Sequence, residues 1–185
     1  MSRLLYSATM SLDGFIAGVG GDMSWLGDLM DEEAAGVEAP EVEALMAEIG
    51  ALLIGKRTWS GDDPNKGTDA EGAFGGQWQG PSVVLTHEPP AEPAGPNTTF
   101  VGDLDEAVAM AKEAADGKYV NILGADVARQ CLAAGVLDEI LVFIAPVLLG
   151  DGTRLFEEAG GTNVRLEPIN AGKLGPTTLW FRVAR

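Results

Sequence analysis

Short apolar runs alternate along the chain with segments whose apolar residues recur at helical spacing. Each run is bounded by turn-forming residues. Runs of this kind are typical of strands that are buried on both faces of a parallel sheet. The predicted strands are Leu4–Met10, Ala51–Gly55, Ser82–Thr86, Thr98–Val101, Tyr119–Leu123 and Asp138–Ala145.

Three amphipathic helices are predicted between these strands. A capping-box pattern at Asp103 and Glu106 predicts a helix that reaches about Ala115. Another helix is predicted over Asp126–Ala134, and Gly135 ends it. The earliest of the three has its apolar residues at i, i+3, i+4 and i+7 with a proline near its start. These residues are Val42, Leu45, Met46 and Ile49, preceded by Pro40.

Strands that alternate with helices predict an α/β fold with a mostly parallel central sheet flanked by helices. Residues 164–169 and 177–183 are predicted to form an antiparallel hairpin at the C-terminal end. No internal repeat and no linker-like stretch interrupts the chain. We therefore expect one domain over residues 1–185.

Composition restricts the expected cellular location and the classes of binding partner. The 185 residues are 46% hydrophobic and carry a formal net charge of −16. A field of this sign repels nucleic acid and anionic lipid, and no apolar run is long enough to span a membrane. With one cysteine and no secretory signal at the start, we expect a reducing, cytoplasmic location. Cys131 has an apolar-facing helix position, which favours a core thiol over a nucleophile.

Several common active sites are excluded by their missing motifs. No P-loop is present, and Met23 holds the last place of the one stretch that approaches Gly-x-Gly-x-x-Gly. The lone His87 has no second histidine with which to bind a metal, and no Gly-x-Ser-x-Gly elbow occurs. The sequence predicts no metal site.

Two predicted turns carry side chains suited to an anion. Lys56, Arg57 and Thr58 follow Gly55 at the end of a buried strand, where open α/β sheets bind ligands. Two cations and a hydroxyl suit a phosphate monoester, although a solvated helix start would have the same composition. Thr86-His87 ends the next strand and would face the same anion if the two strands end together. A plain turn is the alternative there.

A third turn offers backbone amides. At Leu123-Gly124-Ala125-Asp126-Val127 a strand passes through glycine into a helix N-terminus. The exposed amides and the helix dipole of such a junction suit a pyrophosphate. Asp126 provides the alternative, because its carboxylate can cap those amides itself.

These turns, with flanking motifs in the same order, resemble a known family over nearly the whole chain. Ser11–Ala17 and Ser24–Leu26 look like the opening of the reductase domain of the bifunctional riboflavin-biosynthesis protein RibD. Leu53–Trp59 looks like the glycine-arginine-threonine segment of dihydrofolate reductase. The family's C-terminal signature, the most specific piece, is similar to three stretches of this chain. They are Gly135–Ile140, Pro146–Gly150 and Leu155-Phe156.

The resemblance implies a dihydrofolate-reductase-like fold and a site for NADPH. The nicotinamide would be lined by Thr9, Ile16 and Ala17. The adenosine 2′-phosphate would be surrounded by Lys56, Arg57, Thr58, Thr86 and His87. The pyrophosphate would meet Gly124, Ala125, Asp126, Val127 and Ala128. Leu123 stands where the family usually has the first of two successive glycines.

The substrate side has fewer signals. Hydride transfer to C=N or C=O needs a proton source and a dry pocket. The candidate acids are Asp28, roughly where dihydrofolate reductase keeps its substrate carboxylate, and Asp63, whose Asp62-Asp63-Pro64 context resembles the riboflavin reductases. Asp13 lies in a tight Asp-Gly turn and is expected to be structural. Trp25 and Phe143 are candidates for the walls of a planar ligand, with core packing as the alternative.

The expected function is therefore an NADPH-dependent oxidoreductase that transfers hydride to a small heterocyclic (pteridine- or pyrimidine-like) or carbonyl substrate. One alternative is a non-catalytic, nucleotide-binding, dimeric scaffold of the same fold. Another is a true riboflavin-pathway reductase. A homodimer is expected, with Ile140–Ala145 and the C-terminal hairpin pairing across the interface.

Overall fold

The apolar runs of the sequence form the centre of an eight-stranded sheet. A computed structural model of the chain describes residues 1–30, 44–61, 67, 71–90, 95–169 and 177–185, and for residues 28–30 the backbone alone. The sheet has the strand order β5-β4-β3-β6-β1-β7-β10-β9, and β2 pairs with β8 separately. The strands are β1 (Arg3–Ser11), β2 (Phe15–Ala17), β3 (Ile49–Gly55), β4 (Ser82–Leu85), β5 (Thr98–Val101), β6 (Tyr119–Leu123), β7 (Glu139–Ala145), β8 (Thr153–Arg154), β9 (Leu166–Pro168) and β10 (Thr178–Val183).

The sheet is parallel from β5 through to β7 and antiparallel at its C-terminal side. β1 pairs in parallel with both β6 and β7, and β3 pairs in parallel with both β4 and β6. β10 runs antiparallel to β7 and to β9. The prediction of a mostly parallel α/β sheet with an antiparallel C-terminal strand pair is confirmed.

Besides the helical residues 44–47, the described part of the chain has these α-helices beside its strands: α1 (Ser24–Met30), α2 (Lys56–Ser60), α3 (Leu104–Ala114) and α4 (Ala125–Ala133). The predicted cap of α3 is confirmed, because Asp103 Oδ1 accepts a hydrogen bond from Glu106 N at 2.9 Å. Beyond α4, Gly135 takes a φ of +70°, a conformation that favours glycine. Among the described residues, no helix is both long and apolar enough to cross a membrane.

The main core lies between the sheet and the two longer helices, α3 and α4. Ala107, Val108 and Ala111 of α3 and Val127, Ala128 and Cys131 of α4 are all buried in one cluster with the sheet. Burial raises the pKa of the Cys131 thiol to about 12, so the thiol stays protonated and unreactive near neutral pH. The predicted core position of this cysteine is confirmed.

Two expectations are corrected. Ile49, taken as the last apolar position of a helix, is the first residue of β3; residues 44–47 are helical, whereas Pro40 and Val42 lie outside the described residues. Ile140–Ala145 cannot pair across a dimer interface, because β7 is hydrogen-bonded on both sides, to β1 and to β10. The strand at that edge of the sheet is β9. The homodimer itself stays a prediction.

Candidate active site

The three predicted anion-binding turns follow the carboxyl ends of neighbouring strands, on the same side of the sheet. Gly55 of β3 pairs with Leu85 of β4, and Ile54 pairs with Leu123 of β6. The residues that follow these strands are therefore neighbours. β6 is inserted between β3 and β1, although in the chain it follows β5. Such a change in strand order is where open α/β sheets form a ligand crevice.

Two of the turns are in direct contact through glycine. Gly124 has a φ of +108°, and a Cβ placed on it would lie 2.5 Å from Thr58 Oγ1. A Cβ on Gly55 would lie 3.1 Å from Val127 Cγ2. Each glycine thus lets a side chain of the other turn approach its backbone more closely than a Cβ would allow. Leu123, one residue earlier, packs on the other face of the sheet with Leu52, Ile54 and Val84.

The N-terminus of α4 lies at this contact and has backbone amides without a hydrogen-bond acceptor among the described residues. Gly124 is its N-cap, and no side chain caps the helix. The amide of Ala128 donates to the Gly124 carbonyl at 3.2 Å, so Ala128 has none to offer a ligand. Among the described residues, the amides of Ala125, Asp126 and Val127 have no acceptor, as expected for the first turn of a helix. The side chains of Val127 and Ala128 are buried in the core.

The carboxylate of Asp126 does not cap these amides. It turns along the helix and accepts hydrogen bonds from Arg129 Nη2 at 3.1 Å and from Gln130 Nε2 at 2.8 Å. Partial burial opposes its ionisation, but these two hydrogen bonds and the charges of Arg129 and Arg57 hold the pKa of Asp126 below its usual value. The negative charge at this terminus is therefore balanced by an arginine before any ligand arrives.

α2 carries the cationic group of the site. Lys56, Arg57 and Thr58 form its first turn, and their side chains are exposed. The residues that suit a phosphate monoester are therefore also a solvated helix start. Lys56 Nζ donates to Glu88 Oε2 at 2.8 Å. Arg57 has no ion pair among the described residues, although its charge acts on Asp126. Arg57 is therefore the cation of this turn that is free for an anion.

The turn after β4 brings an unexpected acidic residue to the cations. Thr86 is buried, and its hydroxyl donates to the Glu88 carbonyl at 3.2 Å and accepts from the Glu88 amide at 3.1 Å. His87 is exposed beside it. The hydrogen bond and the charge of Lys56, with a smaller contribution from His87, lower the pKa of Glu88. Sequence reasoning missed Glu88, although its position directly after Thr86-His87 was a signal.

At the other end of the crevice, β1 extends past the end of β6. Arg3–Tyr6 pair with β6, whereas Leu5–Ser11 pair with β7. Within the described part of the chain, Ala8–Ser11 thus have a strand partner on one side only. Thr9 lies in this stretch opposite Phe143 of β7, and both are half-buried. Ile16 and Ala17 belong to β2, which pairs with β8 outside the main sheet.

The residues predicted for the substrate side are only partly described. Trp25 lies on α1, and its buried indole Nε1 has no hydrogen-bond partner among the residues that the structure describes. Phe143 lies on β7 between Thr9 and Thr178 of the adjoining strands. The side chain of Asp28 and the whole of Asp63 lie outside the described residues. Asp13 is engaged by the amides of Leu149 and Gly150, in agreement with the structural role expected for it.

Comparison with family models decides the family. Residues 3–180 match the RibD C-terminal domain, which is nearly the whole chain. The chain belongs to the RibD C-terminal domain family.

A curated relative agrees with this membership. The riboflavin biosynthesis protein RibD of Mycobacterium tuberculosis is 28% identical over 194 aligned residues, which take in 100% of this chain and 55% of the relative. The chain thus spans about half the length of the curated relatives it matches.

Solved structures show the same fold. A protein assigned to riboflavin biosynthesis in Shewanella sp. PV-4 superposes with a TM-score of 0.72 at 24% identity, over 99% of both chains. Dihydrofolate reductase from Enterococcus faecalis, complexed with NADP(H), superposes with a TM-score of 0.52 at 14% identity. That match covers 98% of this chain and 94% of the reductase. The expected dihydrofolate-reductase-like fold of this RibD C-terminal domain is confirmed.

For this RibD C-terminal domain, the described residues bring together an unpaired arginine, a lysine held by a glutamate, a helix N-terminus with free amides and an unpaired strand edge. The first two suit a phosphate monoester and the amides suit a pyrophosphate. The strand edge suits a group with both a donor and an acceptor, such as a carboxamide.

Proposed function

We propose that this chain is an NADPH-dependent oxidoreductase that reduces a small heterocyclic, pteridine- or pyrimidine-like, or carbonyl compound. The observation that carries the proposal is the direct contact of the two turns at Gly124 and Thr58. It sets the free cation Arg57 and the free amides of Ala125–Val127 on neighbouring turns of one crevice. A dinucleotide with an extra phosphate needs both, one for each of its anionic groups.

The adenosine 2′-phosphate is assigned to the α2 turn. Arg57 offers a planar fork of donors, and Lys56, Thr58, Thr86 and His87 are assigned to the same phosphate. In a chain of net charge −16, cations are scarce, and Arg57 has no ion pair within the part of the chain that the structure describes. This favours NADPH over NADH. Thr86 is the weakest member of the group, because its hydroxyl already bonds to the Glu88 backbone.

The pyrophosphate is assigned to the first turn of α4. The amides of Ala125, Asp126 and Val127 donate there without competition from a capping side chain. The helix dipole adds a favourable field for an anion. Gly124 allows the close approach, and Arg129 offsets the charge of Asp126.

The nicotinamide is assigned to the unpaired stretch of β1. The Ser11 carbonyl already accepts the Gly14 amide, so the carboxamide is assigned to the backbone of β1 before it, while Thr9, Ile16 and Ala17 line the ring. NADPH supplies the hydride when it is bound. The apolar side chains of β2 keep water from the ring, which protects the hydride donor from side reactions.

The substrate is assigned to the space beside Trp25 and Phe143. The buried Trp25 indole N–H has no partner among the described residues, and an unpaired buried donor is costly, so a substrate carbonyl that accepts its hydrogen bond would be favoured. Asp28 and Asp63 remain the proposed proton donors. Conversion of either to asparagine should lower kcat and leave the Kd for NADPH unchanged, because an acid acts in the chemical step.

A titration with NADPH and with NADH, followed by nicotinamide fluorescence, tests the proposal. We expect micromolar binding of NADPH and binding of NADH at least about tenfold weaker, the effect of one charge-assisted contact. Absence of NADPH binding at these concentrations would contradict the proposal. Binding without turnover of any pteridine, pyrimidine or carbonyl compound would favour the scaffold. Turnover of the aminopyrimidine ribosyl phosphate would identify the riboflavin-pathway reductase.

A further inference from the structure

Asp13 joins two segments that are far apart in the chain. Its Oδ1 accepts hydrogen bonds from Ser11 Oγ at 2.6 Å and from the Leu149 amide at 3.1 Å. Its Oδ2 accepts one from the Gly150 amide at 2.7 Å. The Ser11 hydroxyl and then the two amides lower the pKa of Asp13 to about 2, so the carboxylate is ionised at any physiological pH. The β1–β2 turn is thus tied to the loop that follows β7.

The same two segments share further contacts. The Leu12 amide donates to the Val147 carbonyl at 2.9 Å, and the Leu155 amide donates to the Gly14 carbonyl at 3.0 Å. The Arg154 guanidinium lies 4.4 Å from the centre of the Phe15 ring. We call the two segments, Ser11–Gly18 and Val147–Leu155, the clasp.

The clasp fixes β2 through a glycine that no other residue can replace without movement. A Cβ on Gly152, whose φ is +135°, would collide with the Ala17 carbonyl oxygen and lie 2.8 Å from Gly18 Cα. β2 and β8 pair in antiparallel register, Phe15 with Arg154 and Ala17 with Thr153. Because β2 is not a strand of the main sheet, its position depends on the loop after β7 as well as on the turn that joins it to β1.

We propose that Asp13 is a positioning residue, which acts through the clasp to hold Ile16 and Ala17 as the wall of the nicotinamide pocket. This inference rests on the proposed function, since it presumes a nicotinamide at β1. The clasp shares no hydrogen bond or ion pair, among the described residues, with the turns of Arg57 and Gly124. Asp13 therefore affects binding of the nicotinamide half of the cofactor and not of the adenosine half.

Two ligands separate these halves: NADPH and 2′-phosphoadenosine 5′-diphosphoribose, which lacks the nicotinamide. In Asp13→Asn an NH2 group opposes a backbone amide, so we expect the Kd for NADPH to rise about tenfold, the loss of one hydrogen bond to a charged group. The Kd for the fragment should stay within about twofold, because the helix amides and Arg57 are unchanged. Gly152→Ala should act in the same direction and more strongly.

Matched variants control for loss of charge and for strain. Asp103→Asn removes a carboxylate that also accepts a backbone amide, far from β2, and Gly160→Ala adds a methyl group at a φ of +84° in open space. Neither should change the affinity for either ligand. If Gly152→Ala does not fold, Ser11→Ala replaces it, since Ser11 Oγ bonds both Asp13 and the Phe15 amide. An equal loss for both ligands, or no loss for NADPH, would overturn the positioning role.

Amide exchange in the ligand-free protein tests the clasp without the cofactor. Asp13→Asn should speed exchange at Leu149, Gly150 and the β2 amides, and should leave α3 and α4 unchanged. Unchanged exchange at Leu149 and Gly150 would overturn the clasp. If the exchange rates differ between the two proteins in this way while the wild-type protein binds no NADPH, the proposed function and the nicotinamide-positioning role fail. The clasp then has a structural role alone.

Discussion

The two ends of the crevice are built from different material. The end proposed for the adenosine has exposed charged side chains on α2 and after β4: Lys56, Arg57 and Glu88. The end proposed for the nicotinamide has backbone edges and apolar side chains, held by the clasp. On the proposed function, we therefore expect a single charge to change which cofactor binds, and the position of the ring to depend on backbone contacts that tolerate little change. The Gly124–Thr58 contact joins the adenosine end to the pyrophosphate turn.

The largest expected effect comes from breaking that contact. In Gly124→Ala the methyl group meets Thr58 Oγ1, and the backbone keeps a φ of +108° that alanine rarely adopts. We expect the free energy of unfolding to fall by about 2–4 kcal/mol, from the backbone strain and the collision together. Both NADPH and NADH should lose micromolar binding, as measured by fluorescence titration and thermal unfolding.

The control for this variant is Gly135→Ala at the other end of α4. Its φ is +70°, but no atom lies within 4 Å of the added Cβ. It should cost only about 1 kcal/mol, the penalty of a positive φ, and leave cofactor affinity intact. A Gly124→Ala protein that binds both cofactors normally would contradict the contact's role.

The next effect separates the cofactors. Arg57→Ala should weaken the binding free energy of NADPH by about 1–3 kcal/mol, the range for a lost charge-assisted hydrogen bond. The Kd for NADPH should therefore rise roughly 5- to 150-fold. NADH has no 2′-phosphate, so its Kd should not change. Arg57→Lys should fall between wild type and alanine, because lysine keeps the charge and loses the fork. Equal losses for the two cofactors would remove the 2′-phosphate from this turn.

A smaller effect should go in the opposite direction. Glu88→Gln frees Lys56 from its ion pair and removes a negative charge beside the phosphate site. Because that pair is exposed, we expect the Kd for NADPH to fall by only about three- to fivefold, less than 1 kcal/mol, with NADH nearly unchanged. Glu113→Gln at the far end of α3 is the matched control. Weaker NADPH binding in Glu88→Gln would assign Glu88 a supporting contact instead.

The smallest expected effect should be equal for NADPH and NADH, so it should not depend on the 2′-phosphate. Asp126→Asn removes a charge near the amides assigned to the pyrophosphate, which NADPH and NADH share. Both should bind about twofold tighter, since Arg129 already offsets most of that charge and salt screens the rest. A change confined to NADPH, seen in the same paired titrations, would show that Asp126 faces the 2′-phosphate rather than the pyrophosphate.

Most of the fold could be predicted because strands buried on both faces leave unbroken apolar runs. β3, β4, β5 and β6 all lie close to their predicted bounds. Ile49 was misassigned because an apolar residue at a helix–strand boundary satisfies both periods. β8 has only two residues, Thr153 and Arg154, and it exists because β2 offers it a partner rather than through any local pattern.

The site divides in the same way. Lys56 and Arg57 could be predicted because adjacent cations at a strand end are rare in a chain of net charge −16. The Lys56–Glu88 pair depends on the β3–β4 register, and the Asp13–Leu149 bond joins residues 136 positions apart. The collision at Gly152 depends on the approach of two backbones. Contacts of this kind have no signature in the spacing of residues along one chain.

The most direct test of the account is a map of backbone amides protected from hydrogen exchange by a saturating cofactor. NADPH should protect the first turn of α4, the α2 turn and β2, whereas 2′-phosphoadenosine 5′-diphosphoribose should protect the first two and leave β2 unchanged. Protection confined to the amino ends of the strands, or none in any of the three regions, would contradict an NADPH site in this crevice.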